Sequence, residues 1–296
     1  MTALAIGLVL GSCSADEPAA SSVSPTAEPT PEPTPSPTLS AELMDRRWTI
    51  LYVGTDRNAH REAADEPINT DALMLVSLSA DQSELTLVSL PRDTVDVPLA
   101  DGTTYPRKIN ALYADQGMDA LVGAMETLYG TEIDGHVLLD MDDFASLVDA
   151  VDGVEVSPEE PLEDPVVGLD LEAGTQTFDA EQTLGYVRTR VDMDYGRMGR
   201  QQEVVLDLVH RLTDPDTEID LVALLDGLDS LETDLPLEQL PTLMELARRA
   251  GDAEVNNLVI QPPLITFAGD QGDGRGYILV PDVEAIRAEV QELIGD

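Results

Sequence analysis

The pattern of hydrophobic and polar positions changes character near Trp48. Before it, residues 16–40 are dominated by Pro, Ser, Thr, Glu and Ala, a composition that cannot bury a core and favours an extended spacer. From Trp48 onward, short apolar runs alternate with amphipathic stretches to the end of the chain. We therefore interpret residues 1–13 as a signal-like segment, residues 14–45 as a disordered spacer and residues 46–296 as one folded domain.

Apolar runs of strand length predict a β-sheet in the folded domain. Residues 49–53 read as a buried strand, and residues 72–78 and 85–90 read as two strands that a short polar turn joins into a hairpin. Further strands are predicted at residues 137–139, 153–156, 258–260 and 277–279.

Apolar residues at helical spacing predict helices between these strands, with the clearest examples at residues 118–129 and 198–212. Asp142 and Asp179 are expected to cap helices that begin after them. Other helical stretches are predicted at residues 108–114, 180–186 and 283–294. Strands mixed with helices on both sides predict an α/β fold, a single layered α/β/α domain with a central mixed sheet and helices on both faces.

The charge balance excludes one class of partner. The formal net charge is −42, from 58 acidic and 16 basic residues. Because a nucleic-acid backbone demands a broad basic face, we expect no nucleic-acid partner. A small, local phosphate site is compatible with such acidity, and lysine occurs once in the chain, at Lys108.

Residues 185–202 concentrate four of the few cations, which suggests a site for an anion. In an extended segment, Arg188 and Arg190 share a face because side chains alternate. In a helix that begins near Tyr195, side chains three and four residues apart face the same way. Those side chains are Arg197, Arg200 and Gln201. The guanidinium fork suits phosphate oxygens, but the alternative is ordinary ion pairing with surface carboxylates.

Two aspartates are expected at neighbouring strand ends. Asp71 opens the first strand of the hairpin, and Asp93 follows the second strand, after Pro91 has ended the ladder. Because consecutive strands usually pair, both carboxylates could lie at one edge and hold Mg²⁺, which prefers oxygen ligands. Arg92 and Lys108 are further polar candidates there. The alternative is that both aspartates are ordinary turn residues in a chain with 58 acidic side chains.

The single cysteine, Cys13, follows a short apolar run at residues 3–10. One cysteine cannot form an internal disulfide. The run is too short to span a bilayer, and the sequence Leu-Gly-Ser-Cys resembles a lipoprotein signal in which the cysteine is lipidated. We expect a lipid anchor at Cys13. The alternative is a shortened signal-anchor helix that carries an incidental cysteine.

Four strings of the sequence resemble, in order and spacing, the LytR–CpsA–Psr family of cell-wall phosphotransferases. They are LVSLPRDT, KINALY, GYVRTR and YGRMGRQQ. The resemblance runs from about Trp48 through the helix at residues 198–212. It implies a Mg²⁺-dependent enzyme that transfers a glycan polymer from a polyprenyl-pyrophosphate carrier to peptidoglycan. It also implies an exported protein at the outer face of the cytoplasmic membrane, in the cell envelope, with residues 46–296 as the catalytic domain.

The resemblance also assigns roles to the candidate residues. Asp71 and Asp93 are expected to organise the metal and the pyrophosphate, and Asp93 is one candidate for the base that takes the proton of the incoming sugar hydroxyl. The expected catalytic residues are Asp93, Arg92, Arg188 and Arg190. The expected pyrophosphate-binding residues are Arg92, Lys108, Arg188, Arg190, Arg197, Arg200 and Gln201. The prenyl tail would enter an aliphatic pocket between the sheet and the helices.

One stretch departs from the family pattern. Where the family usually has Arg, then Ser or Thr, then Asp-Thr, this chain reads NTDA from Asn69 to Ala72. One pyrophosphate contact and one hydroxyl are therefore missing, unless Arg57 or Arg61 reaches in from the preceding loop. Two other functions stay open: a hydrolase of polyprenyl pyrophosphate, and a non-catalytic lipoprotein that binds isoprenoid phosphates or wall polymer.

Overall fold

The computed structural model describes residues 39–57, 68–228 and 231–295. The predicted lipidation site at Cys13 and most of the predicted spacer lie outside these ranges. The described residues belong to one compact unit, which extends from Thr38 to Asp296. Within it, no helix of the described ranges combines the length and the apolar character needed to cross a membrane.

A six-stranded mixed sheet forms the centre of the domain. In spatial order its strands are β11 (Glu232–Thr233), β6 (Gly135–Leu139), β1 (Trp48–Thr55), β2 (Thr70–Leu78), β3 (Glu84–Ser89) and β12 (Glu254–Val259). Strand β2 is antiparallel to both β1 and β3, whereas β6 runs parallel to β1 and β12 runs parallel to β3. The predicted hairpin is present, with Leu78 paired to Leu85 across its turn.

Helices and short strands surround this sheet. The helices are α1 (Ala41–Met44), α2 (Leu112–Gln116), α3 (Met118–Tyr129), α4 (Met141–Ala150), α5 (Ala180–Arg188), α6 (Met193–Thr213), α7 (Leu221–Asp226), α8 (Leu240–Asp252) and α9 (Val283–Ile294). The remaining strands are β4 (Val97–Pro98), β5 (Thr104–Tyr105), β7 (Val154–Val156), β8 (Leu162–Asp164), β9 (Leu169–Leu171), β10 (Gln176–Phe178), β13 (Ile265–Asp270) and β14 (Tyr277–Pro281). Helix α1 lies inside the stretch predicted as spacer, because Met44 is buried in a hydrophobic cluster with Trp48.

The helices cover both faces of the sheet, which confirms the predicted α/β/α layering. Because side chains alternate along a strand, each of the central strands contributes to two cores. One core packs residues such as Leu51 and Leu75 against α3 and α9. The opposite face packs Met74 and Leu87 with Leu246 of α8 and the partly buried Val205 of α6.

A further hydrophobic cluster holds α4, α5 and α6 together with β7, β9 and β10. At its centre the rings of Phe178 and Tyr186 meet edge to face, with centroids 5.4 Å apart. Such aromatic contacts have a preferred geometry and fix the orientation of the elements that carry them. The cluster therefore fixes α5, whose last residue is Arg188.

Asp140, not Asp142, caps helix α4. Its backbone is extended, and its carboxylate accepts hydrogen bonds from the N–H groups of Asp142 and Asp143. The expected cap at Asp142 is therefore wrong, because Asp142 already lies in the first helical turn. The general prediction that an aspartate caps this helix is confirmed, two residues earlier than expected.

Asp179 caps helix α5 as predicted, and it does so in a capping box with Gln182. The Asp179 carboxylate accepts from the Gln182 N–H at 2.9 Å, and the Gln182 side chain accepts from the Asp179 N–H at 3.2 Å. We expect Asp179→Ala to lower the free energy of unfolding by about 1 kcal/mol, because a capped N–H loses its partner. Chemical denaturation measures this change. Asp179→Ser keeps a capping oxygen and serves as the control, and equal stability of the two variants would contradict the assignment.

Candidate active site

A cavity of about 310 Å³ lies between the sheet and helices α4, α5 and α6. Its polar wall is formed by Asp71, Arg92, Arg188, Arg190, Arg197 and Gln201. Its apolar wall includes Leu139, Phe144, Val167, Leu184, Val187 and Val205. The structure thus brings together most of the predicted anion-binding side chains, which come from separate parts of the chain. A polar wall next to an apolar wall suits a ligand in which an anionic group is attached to a hydrocarbon chain.

Asp71 lies in a β-bulge between β1 and β2. Gly54 pairs with Ala72 and Thr55 pairs with Thr70, so Asp71 is the residue that the pairing skips. A bulge re-aims a side chain and leaves a backbone group without its ladder partner. The carbonyl oxygen of Asp71 instead accepts a hydrogen bond from Arg197 Nη1 at 2.9 Å. The bulge therefore presents the Asp71 carboxylate to the cavity.

Arg92 and Asp71 form an ion pair at the strand ends, with Nη1 and Oδ1 2.5 Å apart. Burial lowers the pKa of Arg92, but the carboxylates of Asp71, Asp93 and Asp194 raise it by more, so the net shift is upward. Arg92 is therefore held as a cation close to three carboxylates. The expected proximity of Arg92, Asp71 and Asp93 is confirmed to this extent.

Arg190 lies in a different electrostatic environment. Burial and the neighbouring cations Arg92 and Arg197 lower the pKa of Arg190, and the carboxylates of Asp194 and Asp71 compensate only in part. Its one ion pair is with Asp194, at 3.5 Å from Nε to Oδ1. The guanidinium groups of Arg92, Arg190 and Arg197 repel one another. Their proximity therefore favours the binding of a multiply charged anion, which offsets the repulsion.

Several buried donors at the cavity have no hydrogen-bond partner among the described residues. They are Arg92 Nε, Arg197 Nη2 and Thr55 Oγ1. Arg197 is 2% exposed, and its Nη2 lies 2.9 Å from Asp194 Oδ1 without the alignment of a hydrogen bond. Because buried polar groups in folded proteins are nearly always satisfied, these donors make the cavity a candidate site for a ligand that accepts hydrogen bonds.

Arg188 and Arg190 both line the cavity, but they do not share an extended segment. Arg188 is the last residue of α5, and the chain leaves the helix at Thr189, whose backbone is extended. The Thr189 hydroxyl donates to Asp164 Oδ2 at 2.6 Å, which ties the loop to the turn after β8. The predicted convergence of the two arginines is therefore achieved by a helix end and a loop, not by strand alternation.

Arg200 does not line the cavity. Its guanidinium donates to the carbonyl oxygens of Tyr186 and Thr189, at 2.9 and 2.7 Å, and pairs with Asp192 at 2.6 Å. Arg200 was expected to contact pyrophosphate, but its guanidinium is bonded to backbone carbonyls and to Asp192 instead. Arg200 fixes the loop that carries Arg190, whereas Gln201 lines the cavity as predicted.

Lys108 and Asp93 form an ion pair outside the cavity wall, with Nζ and Oδ1 2.8 Å apart. Asp93 still acts on Arg92 electrostatically, so it lies near the polar end of the site. Within the described ranges, no three His, Cys, Asp or Glu side chains converge as a metal site. The structure therefore offers a pair of aspartates, Asp71 and Asp93, beside Arg92.

Asn69 makes a local contact in place of the arginine that the family pattern has there. Its side-chain nitrogen donates to Asp56 Oδ2 at 3.0 Å, and its backbone N–H donates to Asp56 Oδ1 at 2.8 Å. Asn69 and Arg57 do not belong to the cavity wall, and Arg61 lies outside the described residues. Ala72 does line the cavity, so its small side chain leaves room beside Asp71.

Tyr52, Thr55 and Asp140 line the cavity but are not among the site residues that the sequence pattern predicts. Tyr52 belongs to the strand predicted at residues 49–53, which was expected to be buried, and Thr55 follows the predicted end of that strand. Asp140 was not considered because the helix cap was predicted at Asp142. One available signal was the presence of hydroxyl side chains in an otherwise aliphatic strand.

Comparisons with known proteins agree with this architecture. The sequence model of the LytR_cpsA_psr family matches residues 14–289. The probable cell wall biosynthesis protein LcpB of Corynebacterium glutamicum is 40% identical over 151 residues, which are 50% of this chain and 35% of LcpB. TagV of Bacillus subtilis, a polyisoprenyl-teichoic acid–peptidoglycan teichoic acid transferase, is 25% identical over 265 residues, which cover 85% of this chain and 66% of TagV.

The fold recurs in the solved structure of TagT bound to LIIa-WTA, with a TM-score of 0.65 at 22% identity. That match covers 86% of this chain and 93% of the other. The chain spans between about a third and two thirds of the two curated relatives. The family match, which covers most of the chain, and the shared fold lead to one conclusion: this chain is a member of the LytR_cpsA_psr family.

Proposed function

We propose that this protein transfers a phosphate-linked glycan polymer from a polyprenyl-pyrophosphate carrier to peptidoglycan. The observation that carries the proposal is the cavity, where unpaired guanidinium donors of Arg92 and Arg197 border an aliphatic chamber. A pyrophosphate group can accept hydrogen bonds from the guanidinium donors, and a prenyl chain can fill the aliphatic chamber. The relative TagV is named as a transferase of teichoic acid between a polyisoprenyl carrier and peptidoglycan, which supports the same reaction class.

Positioning and charge stabilisation are the main demands of phosphoryl transfer. Arg92, Arg190 and Arg197 would hold the phosphate oxygens, with Arg188 and Gln201 at the edge of the same wall. These donors are fixed before the ligand arrives, because ion pairs and backbone contacts hold two of the guanidinium groups. Preorganised donors of this kind stabilise charge that develops in the transition state.

Magnesium is part of the proposal, with Asp71 and Asp93 as the residues that would hold it. The ion pairs of both carboxylates are made through Oδ1, from Asp71 to Arg92 and from Asp93 to Lys108. Two carboxylates fit Mg²⁺, which usually completes its shell with water and phosphate oxygens. When bound, the ion neutralises charge on the phosphate groups. Asp93 is also the candidate base for the acceptor hydroxyl.

The proposed place of action is the cell envelope, on the outer face of the cytoplasmic membrane. LcpB is named as a probable cell wall biosynthesis protein, and TagV is named as a transferase of teichoic acid to peptidoglycan, which supports the envelope. A lipid anchor at Cys13 and the spacer that follows it would tether the catalytic domain there. Metabolic labelling with a fatty-acid probe, compared between the wild-type chain and Cys13→Ser, tests the anchor.

A transfer assay with a radiolabelled lipid-linked polymer and isolated peptidoglycan tests the function. We expect Mg²⁺-dependent incorporation of label into peptidoglycan, and a loss of about 10²-fold in the variant Asp71→Asn, because a ligand charge beside the phosphates is removed. Asp252→Asn, at an exposed carboxylate on α8, is the matched control and should retain full activity.

The same assay separates the alternative functions. Release of inorganic phosphate or free polymer without incorporation would indicate a hydrolase. Binding of the lipid carrier with neither reaction would indicate a non-catalytic binding protein. Wild-type activity that is unaffected by EDTA would contradict the role of Mg²⁺ while leaving the transfer reaction in place.

A further inference from the structure

Two side chains that carry hydroxyl groups, Tyr52 and Thr55, line the cavity. Tyr52 packs against the hydrophobic cluster that includes Leu139 and Phe144 of the apolar wall. Tyr52 projects from β1 over Gly54, where its hydroxyl lies 3.7 Å from the position that a Cβ on Gly54 would occupy. The same position is 3.0 Å from the Cβ of Ala72, which follows Asp71. Thr55, the last residue of β1, also lines the cavity.

Neither hydroxyl has a hydrogen-bond partner among the described residues. Thr55 is 4% exposed, and its Oγ1 is fully buried. Burial raises the pKa of Tyr52 to about 12, so its phenol stays protonated and can donate at neutral pH. Buried polar groups are normally satisfied, and these two border the same cavity as the unpaired donors of Arg92 and Arg197.

From this placement we infer that Tyr52 and Thr55 form a neutral donor subsite for the phosphate that is esterified to the lipid chain. This assignment rests on the proposed function and on the position of Tyr52, which packs against the apolar cluster while its hydroxyl lies beside Gly54, the residue paired with Ala72 next to Asp71. In a lipid-linked pyrophosphate, the phosphate next to the hydrocarbon would lie where the apolar wall meets Asp71. The outer phosphate, which carries the polymer, then lies among the guanidinium groups.

The electrostatics explain why neutral donors suit this position. Arg92 and Arg197 already lower the pKa of Arg190, so a further cation would be repelled by the cluster. A cation would also face the apolar wall formed by residues such as Phe144 and Val187, where desolvation disfavours charge. Hydroxyl groups donate hydrogen bonds without adding charge.

The subsite has a defined role in the proposed reaction. The acceptor hydroxyl oxygen forms a bond to the outer phosphorus, and its proton passes to a carboxylate base. The bond between that phosphorus and the bridging oxygen breaks, and the bridging oxygen leaves with the electron pair as part of the lipid monophosphate. The lipid phosphate gains negative charge in this step, so hydrogen bonds from Tyr52 and Thr55 to it strengthen as the bond breaks.

Removal of the Tyr52 hydroxyl tests the inference. We expect Tyr52→Phe to lower kcat in the transfer assay by about 10-fold or more, with a smaller change in KM, because the hydrogen bond strengthens in the transition state. Binding of a short-chain polyprenyl monophosphate, measured by calorimetry, should weaken by about 10-fold. Thr55→Val should act in the same direction, and Thr55→Ser should restore activity because it keeps the hydroxyl.

Tyr129→Phe is the matched control. The Tyr129 hydroxyl is also buried without a partner, but it lies in the core on the opposite face of the sheet. Both phenylalanine variants should keep or slightly increase the stability of the chain, since each removes an unpaired hydroxyl. Only Tyr52→Phe should change binding and kcat.

Two results overturn the inference, and they can be told apart. If the wild-type chain binds the polyprenyl monophosphate and Tyr52→Phe binds it equally well with unchanged kcat, the subsite is refuted while the proposed function stands. If the wild-type chain neither binds the monophosphate nor transfers polymer, both the subsite and the proposed function are refuted.

Discussion

Replacement of Arg190 by alanine is expected to lower polymer transfer by about 10²- to 10³-fold and to leave the fold intact. Arg190 is 40% exposed at its side chain and has one long ion pair, to Asp194, so little of the fold depends on it. Its pKa is lowered by burial and by two neighbouring guanidinium groups, which means that the folded chain holds this cation at an electrostatic cost. Binding of an anion offsets that cost. In Arg190→Ala the guanidinium is absent, so this contribution to anion binding is lost.

Arg211→Ala provides the matched control for this prediction. Arg211 lies on the same helix, α6, as Arg197, and it pairs with Asp207 at 2.9 Å, but it is not part of the cavity wall. We expect that variant to retain wild-type transfer activity. Thermal unfolding and circular dichroism establish that both variants are folded. Full activity of a folded Arg190→Ala variant would refute the assignment of the cavity as the active site.

Replacement of Arg197 by methionine is expected to remove both stability and activity. Arg197 is 2% exposed, pairs with Asp194 and donates to the backbone carbonyl of Asp71 in the bulge. Methionine fills a similar volume, but it leaves the Asp71 carbonyl without its donor and the Asp194 carboxylate with only the longer ion pair to Arg190. Breaking a buried charge pair in this way costs about 3 kcal/mol. Urea denaturation should show that loss, and calorimetry should show no binding of the lipid phosphate.

The double variant Arg197→Met with Asp194→Leu separates the two effects. Removing Asp194 as well eliminates a carboxylate that has lost its closest donor, so we expect part of the lost stability to return. Activity should not return, because the guanidinium is still absent from the cavity wall. Recovery of transfer together with stability would show that Arg197 acts through the fold alone.

The alternative interpretation of the arginines is ordinary ion pairing at the surface. Such ion pairs are present elsewhere in the chain. Arg248 pairs with Glu245 and Asp252 within α8, and Arg287 pairs with Glu284 within α9. Each of these pairs lies three or four residues apart on one helix, as exposed pairs commonly do. Arg92 and Arg197 of the cavity differ because each also contacts Asp71, which is distant in sequence, and because each retains a donor without a hydrogen-bond partner among the described residues.

Local patterns in the sequence were sufficient for the elements that carry the site. The hairpin of β2 and β3, the capped helix α5 and the long helix α6 each follow from apolar periodicity and from a local cap or turn. Short strands such as β4, β8 and β10 were missed because two or three residues carry no readable period. Those strands exist because tertiary contacts hold them.

Helix periodicity placed Arg197, Arg200 and Gln201 on neighbouring positions of one surface but left open which of them faces the ligand. Successive residues turn by about 100°, so Arg200 and Gln201 lie on opposite sides of Arg197. The cavity lies on the side of Gln201, and the carbonyl groups of the preceding loop lie on the side of Arg200. That choice depends on how α6 packs against α5, which no local pattern encodes.

The sequence by itself determined the fold class, the family and most of the side chains of the site, because these follow from short motifs and from periodicity. Only the tertiary structure decided how they are used. The bulge that exposes Asp71, the bond from Arg197 to its carbonyl 126 residues away, and the position of Tyr52 over Gly54 all result from contacts between distant segments. Such contacts are set by packing of the whole sheet and its helices, and a linear pattern carries no record of them.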